Sequence, residues 1–341
     1  MASDENDRRR KRAVRVEDVA RVAGVSPITV SRALSHPDKV KDETRQRILA
    51  AVSETGYVLN RFASSLRSGS SRIVQVFASN LVNPHFATSI QGTIDAFEGS
   101  PFHLMFAQIG YSEMLEVDVV NTALPFRPAG VIFTGVVRAE ATREALSKLD
   151  IPIVEMWGHS DDPLDMLVGF SNTDGGRLMG EHFGQRGFRR IAYSGHATER
   201  GAERIAGFRD GLGKYSAELA LIHPMEGTRG VTDGMGAFDD ILASLPGCDA
   251  MFFGTDVLAI GALLRAQERN IAVPGQVAIA GFGGLDFTAH VKPGLTTLNI
   301  EGYEMGLTAG RMMLARLNDE TVERPIFDYP ITLIERQSTG R

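Results

Sequence analysis

A single cysteine, Cys248, stands among the 341 residues. It excludes an internal disulfide, and its setting in Gly-Cys-Asp-Ala-Met-Phe-Phe suits a loop or strand start with a structural role. Long hydrophobic runs are also missing, since no apolar stretch approaches the ~18 residues that would span a bilayer. The opening Met-Ala-Ser-Asp-Glu-Asn-Asp-Arg contains no apolar segment of a secretory signal. No membrane contact is expected, and the expected compartment is the cytoplasm. No Gly-x-Gly-x-x-Gly follows the first strand-like run, and no Walker-type loop, His-Glu-x-x-His or Cys-x-x-Cys occurs. Eight histidines are present, none in a spacing that argues catalysis. His182 suits an ordinary helix residue. The chain is therefore expected to be no enzyme and to need neither cofactor nor metal. It shows no repeat at solenoid periods.

What is present begins with charge. Residues 1–72 hold 15 Lys and Arg against 9 Asp and Glu, a net of +6. The whole chain is −6, so residues 73–341 carry −12. A basic head on an acidic body is the electrostatic footprint of a nucleic-acid-binding head. The run Arg8-Arg9-Arg10-Lys11-Arg12 precedes any periodic segment. It suggests a solvated, disordered tail that adds sequence-independent attraction to phosphates.

Residues 16–34 predict two short helices around a tight turn. Val19, Ala20 and Ala23 form an apolar stripe on the first. Gly24 follows, where a sharply turning chain needs φ > 0. Ser26 is an N-cap and Pro27 takes the first helical position, where its missing N–H costs nothing. Val30, Ala33 and Leu34 face inward. Pro27, Ile28, Thr29, Ser31 and Arg32 are left for the outer face. This start, turn and cap order is the helix-turn-helix that sets a helix into the DNA major groove. An ordinary amphipathic helix pair would not need that order. A third helix follows, with Thr44, Ile48, Ala51 and Val52 inward, and stops at Gly56-Tyr57. Residues 60–70 are small, polar and Ser-rich around a lone Leu66, as in a linker.

From Arg72 the pattern alternates. Strand-like runs fall at 73–79, 102–108, 130–134, 153–157, 190–194, 250–254 and 277–281. Helical patterns fall at 86–97, 175–186, 201–212, 256–269 and 303–318. Such alternation predicts an α/β body with parallel, doubly wound sheets. Ligands of these folds bind at the carboxyl ends of strands.

These segments together resemble the lactose/galactose repressor family. The resemblance rests on Asp18-Val-Ala-Arg-Val-Ala-Gly-Val-Ser, Val30-Ser-Arg-Ala-Leu, Gly56-Tyr-Val-Leu-Asn and Ala63-Ser-Ser-Leu in the head and linker. In the body it rests on Asn83-Pro-His-Phe, Phe170-Ser-Asn-Thr-Asp-Gly-Gly, Arg204-Ile-Ala-Gly-Phe, Thr255-Asp, Gly281-Phe-Gly and Leu295-Thr-Thr-Leu. It covers essentially the whole chain. It implies a helix-turn-helix head on two periplasmic-binding-protein-like subdomains, and a homodimer or tetramer on palindromic operator DNA. The implied division is a tail over 1–13, a DNA-binding domain over 14–59 and a hinge over 60–71. One effector subdomain would comprise 72–172 and 300–330, the other 173–299 and 331–341. No heptad helix follows Arg336-Gln-Ser-Thr-Gly-Arg, so a tail-bundle tetramer is not expected.

The resemblance also implies site residues. In the head, Ser26 to Arg32 enter the major groove, with Pro27, Ile28 and Arg32 at positions that read base edges. Only Arg32 offers bidentate donors, matched to guanine O6 and N7, and a phosphate contact is its alternative. Ile28 suits a thymine methyl. Thr29, Ser31 and Thr44 suit phosphates. Asn60 lies in the matched segment before the hinge. Leu66 matches a minor-groove wedge, with core cover as its alternative. Lys41 replaces a usual Ser cap on the third helix, so Asp42 is expected to cap it.

In the body, His85, Phe86, Trp157, Thr198, Arg200, Arg204, Arg229 and Asp256 are implied at the effector cleft. Packing or helix capping is the competing role for His85, Thr198 and Asp256, and a solvated loop position for Arg229. Many family members place an Asp where this chain has Gly283, and Asp286 lies two residues beyond. Removing an acid while adding Arg200 and Arg229 beside Arg204 favours an anionic effector. Ile151-Pro-Ile-Val-Glu-Met-Trp, Leu167-Val-Gly-Phe-Ser-Asn and Ala278-Ile-Ala-Gly-Phe-Gly-Gly-Leu-Asp resemble the gluconate-utilisation repressors of the family. The expected effector is a sugar acid, gluconate or a ketogluconate. A neutral or phosphorylated sugar is the alternative, and a solute-binding protein would share only the body.

Overall fold

A computed structural model describes residues 14–57, 71–225 and 230–340. Two compact units divide at Gly69 and Ser70. The first is a three-helix head of α1 (Val16–Ala23), α2 (Pro27–Ser35) and α3 (Asp42–Thr55). Val19, Val30 and Ile48 are fully buried where the three meet. Gly24 closes α1 in the left-handed region at φ 63°, and the Ser26 side chain accepts from the Thr29 amide at 3.1 Å. Arg47 of α3 donates to the Ala23 carbonyl at 3.0 Å, satisfying an acceptor at the end of α1. Asp42 does not cap α3. It is the first helical residue, Lys41 holds the cap position, and no side chain bonds there.

The second unit contains two parallel sheets. The first uses β1 (Ile73–Ala78), β2 (His103–Gln108), β3 (Gly130–Phe133), β4 (Ile153–Met156), β5 (Met166–Gly169) and the late β11 (Ile326–Asp328). Their order is β11-β5-β4-β3-β1-β2. The second uses β6 (Arg190–His196), β7 (Glu218–Met225), β8 (Ala250–Phe253) and β9 (Ala278–Ala280), in the order β7-β6-β8-β9. A short antiparallel pair, β10 (Thr297–Asn299) with β12 (Thr332–Ile334), completes the strands among the described residues. The interior strands β3, β4, β5 and β8 are buried at every position, as expected of parallel strands covered on both faces.

The body helices are α4 (Pro84–Ala96), α5 (Glu113–Ala123), α6 (Glu140–Ser147), α7 (Asn172–Gln185), α8 (Glu199–Gly213), α9 (Val231–Ser244), α10 (Asp256–Glu268) and α11 (Gly302–Leu317). None is long and apolar enough to cross a membrane. Helices α7 and α8 pack backbone to backbone. A Cβ on Gly176 would strike the Arg204 carbonyl, and one on Gly207 the Thr173 carbonyl. Only glycine permits that approach, and it brings Asn172 and Arg204 together. Buried His182 meets Thr339 Oγ1 at 2.8 Å, fastening the C-terminal segment. Cys248 is buried, and burial pushes its thiol up to about 12, an unreactive state.

One apolar cluster runs from Val74 and Val154 of the first sheet to Tyr193 and Phe252 of the second. Its middle is a chain of rings: Phe86 to Trp157 at 4.9 Å, Trp157 to Phe170 at 5.9 Å, Phe170 to Phe282 at 6.1 Å.

Candidate functional site

In the head, α2 turns Ser26, Pro27, Ile28 and Arg32 outward, while Thr29 and Ser31 are half-buried. Ile28 is 71% exposed, an unusual position for an aliphatic side chain without a partner surface. Thr29 Oγ1 lies 2.8 Å from Ser26 Oγ, so one hydroxyl is already engaged by the cap. Thr44 is half-buried at the start of α3. Asn60, Leu66, the basic run and Arg229 lie outside the described residues.

In the body, one cavity lies where strand ends meet helix starts. His85 and Phe86 open α4 after β1, Trp157 follows β4, Phe170 follows β5, and Thr198, Arg200 and Arg204 come from the start of α8. Asn172, Tyr193, His196, Gly254, Thr255 and Phe282 also line it. Among the described residues, no carboxylate lines it. Six of the expected residues are thus brought together: His85, Phe86, Trp157, Thr198, Arg200 and Arg204.

Their chemistry differs. Arg204 is 9% exposed and donates to the Gly254 carbonyl and to Asn172 Oδ1, each at 2.7 Å. Its guanidinium lies 3.5 Å from the Phe282 ring centre. Arg200 has no hydrogen bond or ion pair among the described residues; it lies over the rings of Phe86 and Tyr111 at 5.3 and 5.9 Å. Burial, more than any neighbour, holds both guanidinium pKa values below the usual, and the Glu203 charge offsets that only in part. Asn172 Nδ2 is buried with no hydrogen-bond partner among the described residues. Thr198 caps α8 by accepting from the Gly201 amide at 3.2 Å, so it serves as cap and wall together. Trp157 adopts φ 65° and donates Nε1 to buried Ser89 Oγ at 3.0 Å, which offers its ring to the cavity. Burial first, then Arg204, lowers the His85 pKa to about 3. That ring is neutral at pH 7, a donor or acceptor without charge.

Two expectations are corrected. Asp256 does not reach the cavity. Its carboxylate accepts from Thr297 Oγ1 at 2.5 Å and from the Leu285 amide at 2.8 Å, fully buried behind the wall. Burial raises its pKa to about 6 despite those bonds. Gly283 does not line the cavity either. It backs His85, whose ring occupies the space where a Cβ would stand. Asp286 is exposed and outside the lining. Residue-level reasoning missed Asn172, Tyr111 and His196. The first stands inside the motif Phe170-Ser-Asn-Thr-Asp-Gly-Gly and could have been taken from it. The other two carry no local signal.

Known proteins share this architecture. Residues 15–60 match the bacterial regulatory proteins of the lacI family, and residues 181–339 match the periplasmic binding protein-like domain. A Pseudomonas aeruginosa protein named HTH-type transcriptional regulator GntR is 33% identical, over 99% of this chain and 100% of its own length. The chain belongs to the LacI family. An Escherichia coli K12 regulator of the same name is 30% identical over 95% of this chain and 98% of its own. The crystal structure of a LacI-family transcriptional regulator from Silicibacter pomeroyi superposes with a TM-score of 0.87 at 30% identity, covering 96% of this chain and 100% of that one. The LacI-family head and the binding-protein-like body are therefore the same parts, in the same order, along nearly the full length.

Proposed function

We propose that this LacI-family chain is a sequence-specific transcriptional repressor that binds a palindromic operator as a homodimer and catalyses no reaction. Its effector is a sugar acid, such as gluconate or a ketogluconate, taken up between the two sheets of the body. The two subdomains divide as the chain's resemblance to the family implies, near 172, 299 and 330, and the protein works in the cytoplasm. The observation that carries the effector reading is the lining formed by the described residues: two guanidinium groups, one of them without an ion pair or hydrogen bond there, and no carboxylate. A neutral sugar needs acceptors for its hydroxyl hydrogens, and the described lining offers no charged one. A carboxylate needs donors, and Arg200 with Asn172 Nδ2 supplies them. The aromatic walls suit the apolar face of a carbon chain.

An effector changes operator affinity only through its different affinity for two conformations. Release of DNA is the outcome proposed for a catabolic repressor of this type. Trp157 is the only tryptophan and lines the cavity. Its fluorescence should change saturably with gluconate or 2-ketogluconate and stay flat with neutral hexoses. A response confined to neutral or phosphorylated sugars would overturn the sugar-acid reading.

A further inference from the structure

Two arginines lie near the same pair of carboxylates, one reaching them from across the cleft and one on their own helix. Arg138 lies on the loop after β3 of the first sheet. Its Nε is 3.0 Å from Glu199 and its Nη2 is 3.9 Å from Glu203, both on α8 of the opposite side. It is anchored to its own side, where Nη2 donates to the His159 carbonyl at 3.3 Å. The adjacent Val137 amide donates at 2.7 Å to Glu155, which is fully buried. Arg200 stands on α8 itself, one residue after Glu199 and three before Glu203. Acid and base at that three-residue spacing ordinarily pair on a helix surface. Here they do not, and the Arg200 guanidinium rests on Phe86 and Tyr111 instead. Tyr111, Thr198 and Arg200 form the partition between the cavity and an outer chamber lined by Arg138, Glu199 and Glu203. Arg200 thus has two possible anions: its own helix's acids on one side, a ligand on the other.

We propose that Arg138 is a positioning residue for the effector site: by occupying Glu199 and Glu203 from across the cleft, it keeps Arg200 free for the effector's anion. The inference rests on the sugar-acid reading. It also couples binding to closure. Parting the two sides withdraws Arg138, Glu203 captures Arg200, and the anion site loses its unpaired cation. Affinity is thereby concentrated in the closed form, which is the difference an effector needs to shift a population.

The test uses full-length protein, gluconate titration by Trp157 fluorescence, and 15N NMR of the Arg200 Nε in the absence of ligand. Arg138→Gln should weaken gluconate binding by about tenfold, the scale of one lost charge-assisted contact. Arg138→Gln with Glu203→Gln should return to within about twofold of the parent, because Glu203 is the acid at pairing distance along the helix, whereas Glu199, adjacent in sequence, does not face Arg200. Arg138→Gln with Glu113→Gln restores the same net charge at the outer chamber and should not rescue. The Arg200 resonance should shift in Arg138→Gln and return in the Glu203→Gln double variant. Rescue by Glu113→Gln as well, or an Arg200 resonance indifferent to Arg138, would overturn the inference. Failure of the parent to bind either gluconate or 2-ketogluconate would refute the sugar-acid reading instead, and the NMR comparison would still decide the competition.

Discussion

Replacing the two cavity arginines one at a time should separate stability from binding. Arg204→Met removes two 2.7 Å hydrogen bonds from a charged donor and a cation held 3.5 Å from the Phe282 ring centre. Bonds to charged groups contribute about 1.5–3 kcal/mol each, and the buried Gly254 carbonyl and Asn172 Oδ1 are left without their partner. Against that, a buried cation carries a desolvation penalty that methionine does not. The net expectation is a loss of about 2–4 kcal/mol, placing Arg204→Met among the strongly destabilising single changes. Arg200→Met breaks no hydrogen bond or ion pair among the described residues, and the methionine keeps contact with Phe86 and Tyr111. Its stability should stay within about 1 kcal/mol of the parent, while gluconate binding falls sharply. Urea unfolding followed at Trp157, run without ligand, measures the stability of both variants, and gluconate titration of the same signal measures binding. An Arg204→Met protein as stable as its parent, or an Arg200→Met protein equally destabilised, would refute this division of labour.

Other perturbations test other parts. Arg32→Ala should cost about 1–3 kcal/mol of operator binding and relax discrimination at one base pair, whereas a phosphate contact would weaken all sequences alike; competition against single-base operator variants distinguishes the two. Asp256 holds its proton more tightly in the folded state, with a pKa of about 6 against an ordinary 3.8. Folding stability from this group is therefore fully present below about pH 4 and is lost as pH rises through 6, by about 3 kcal/mol in all. Asp256→Asn should remove that slope from a pH series of urea melts. Gly283→Ala, at φ 134°, would drive a methyl into the His85 ring. It should abolish the effector response in fluorescence while ligand-free operator binding persists in a mobility-shift assay.

The head was legible because its signals are local. A cap, a proline at the first helical position and a glycine at φ 63° act within a few residues of one another. The buried parallel strands were legible as short apolar runs for the same reason. Strand β7 was not, because it lies at a sheet edge with no fully buried position, and His223 and Pro224 break its apolar run. Strand β5 is the exception among the buried strands, passed over although it is as short, apolar and buried as β3 and β4, and helix α5 buries only Val120 and Ala123 and so shows no full period. The site was half legible. The family resemblance located Phe86 and Trp157 at positions after strand ends, and Arg204 through the motif Arg204-Ile-Ala-Gly-Phe. Where a side chain turns depends on distant partners: Asp256 bonds to residues 29 and 41 positions away, and Arg204 to residues 32 and 50 away. No spacing in the chain encodes those distances.

The charge distribution sets two opposite responses to salt. Residues 73–341 carry −12, yet among the described residues the cavity within them is lined by two arginines and no acid. At low ionic strength the acidic body repels an approaching anion, and salt shortens that repulsion to about 8 Å at physiological strength. The contacts inside are buried and are screened far less. Effector association should therefore quicken modestly with salt while its dissociation changes little. Operator binding must behave the other way, because it releases counterions from phosphates and falls steeply as salt rises. Stopped-flow of the Trp157 signal and operator titration, each at several salt concentrations, should give slopes of opposite sign. Matching negative slopes would mean that the effector is held by exposed charges at the rim rather than by Arg200 in the cavity.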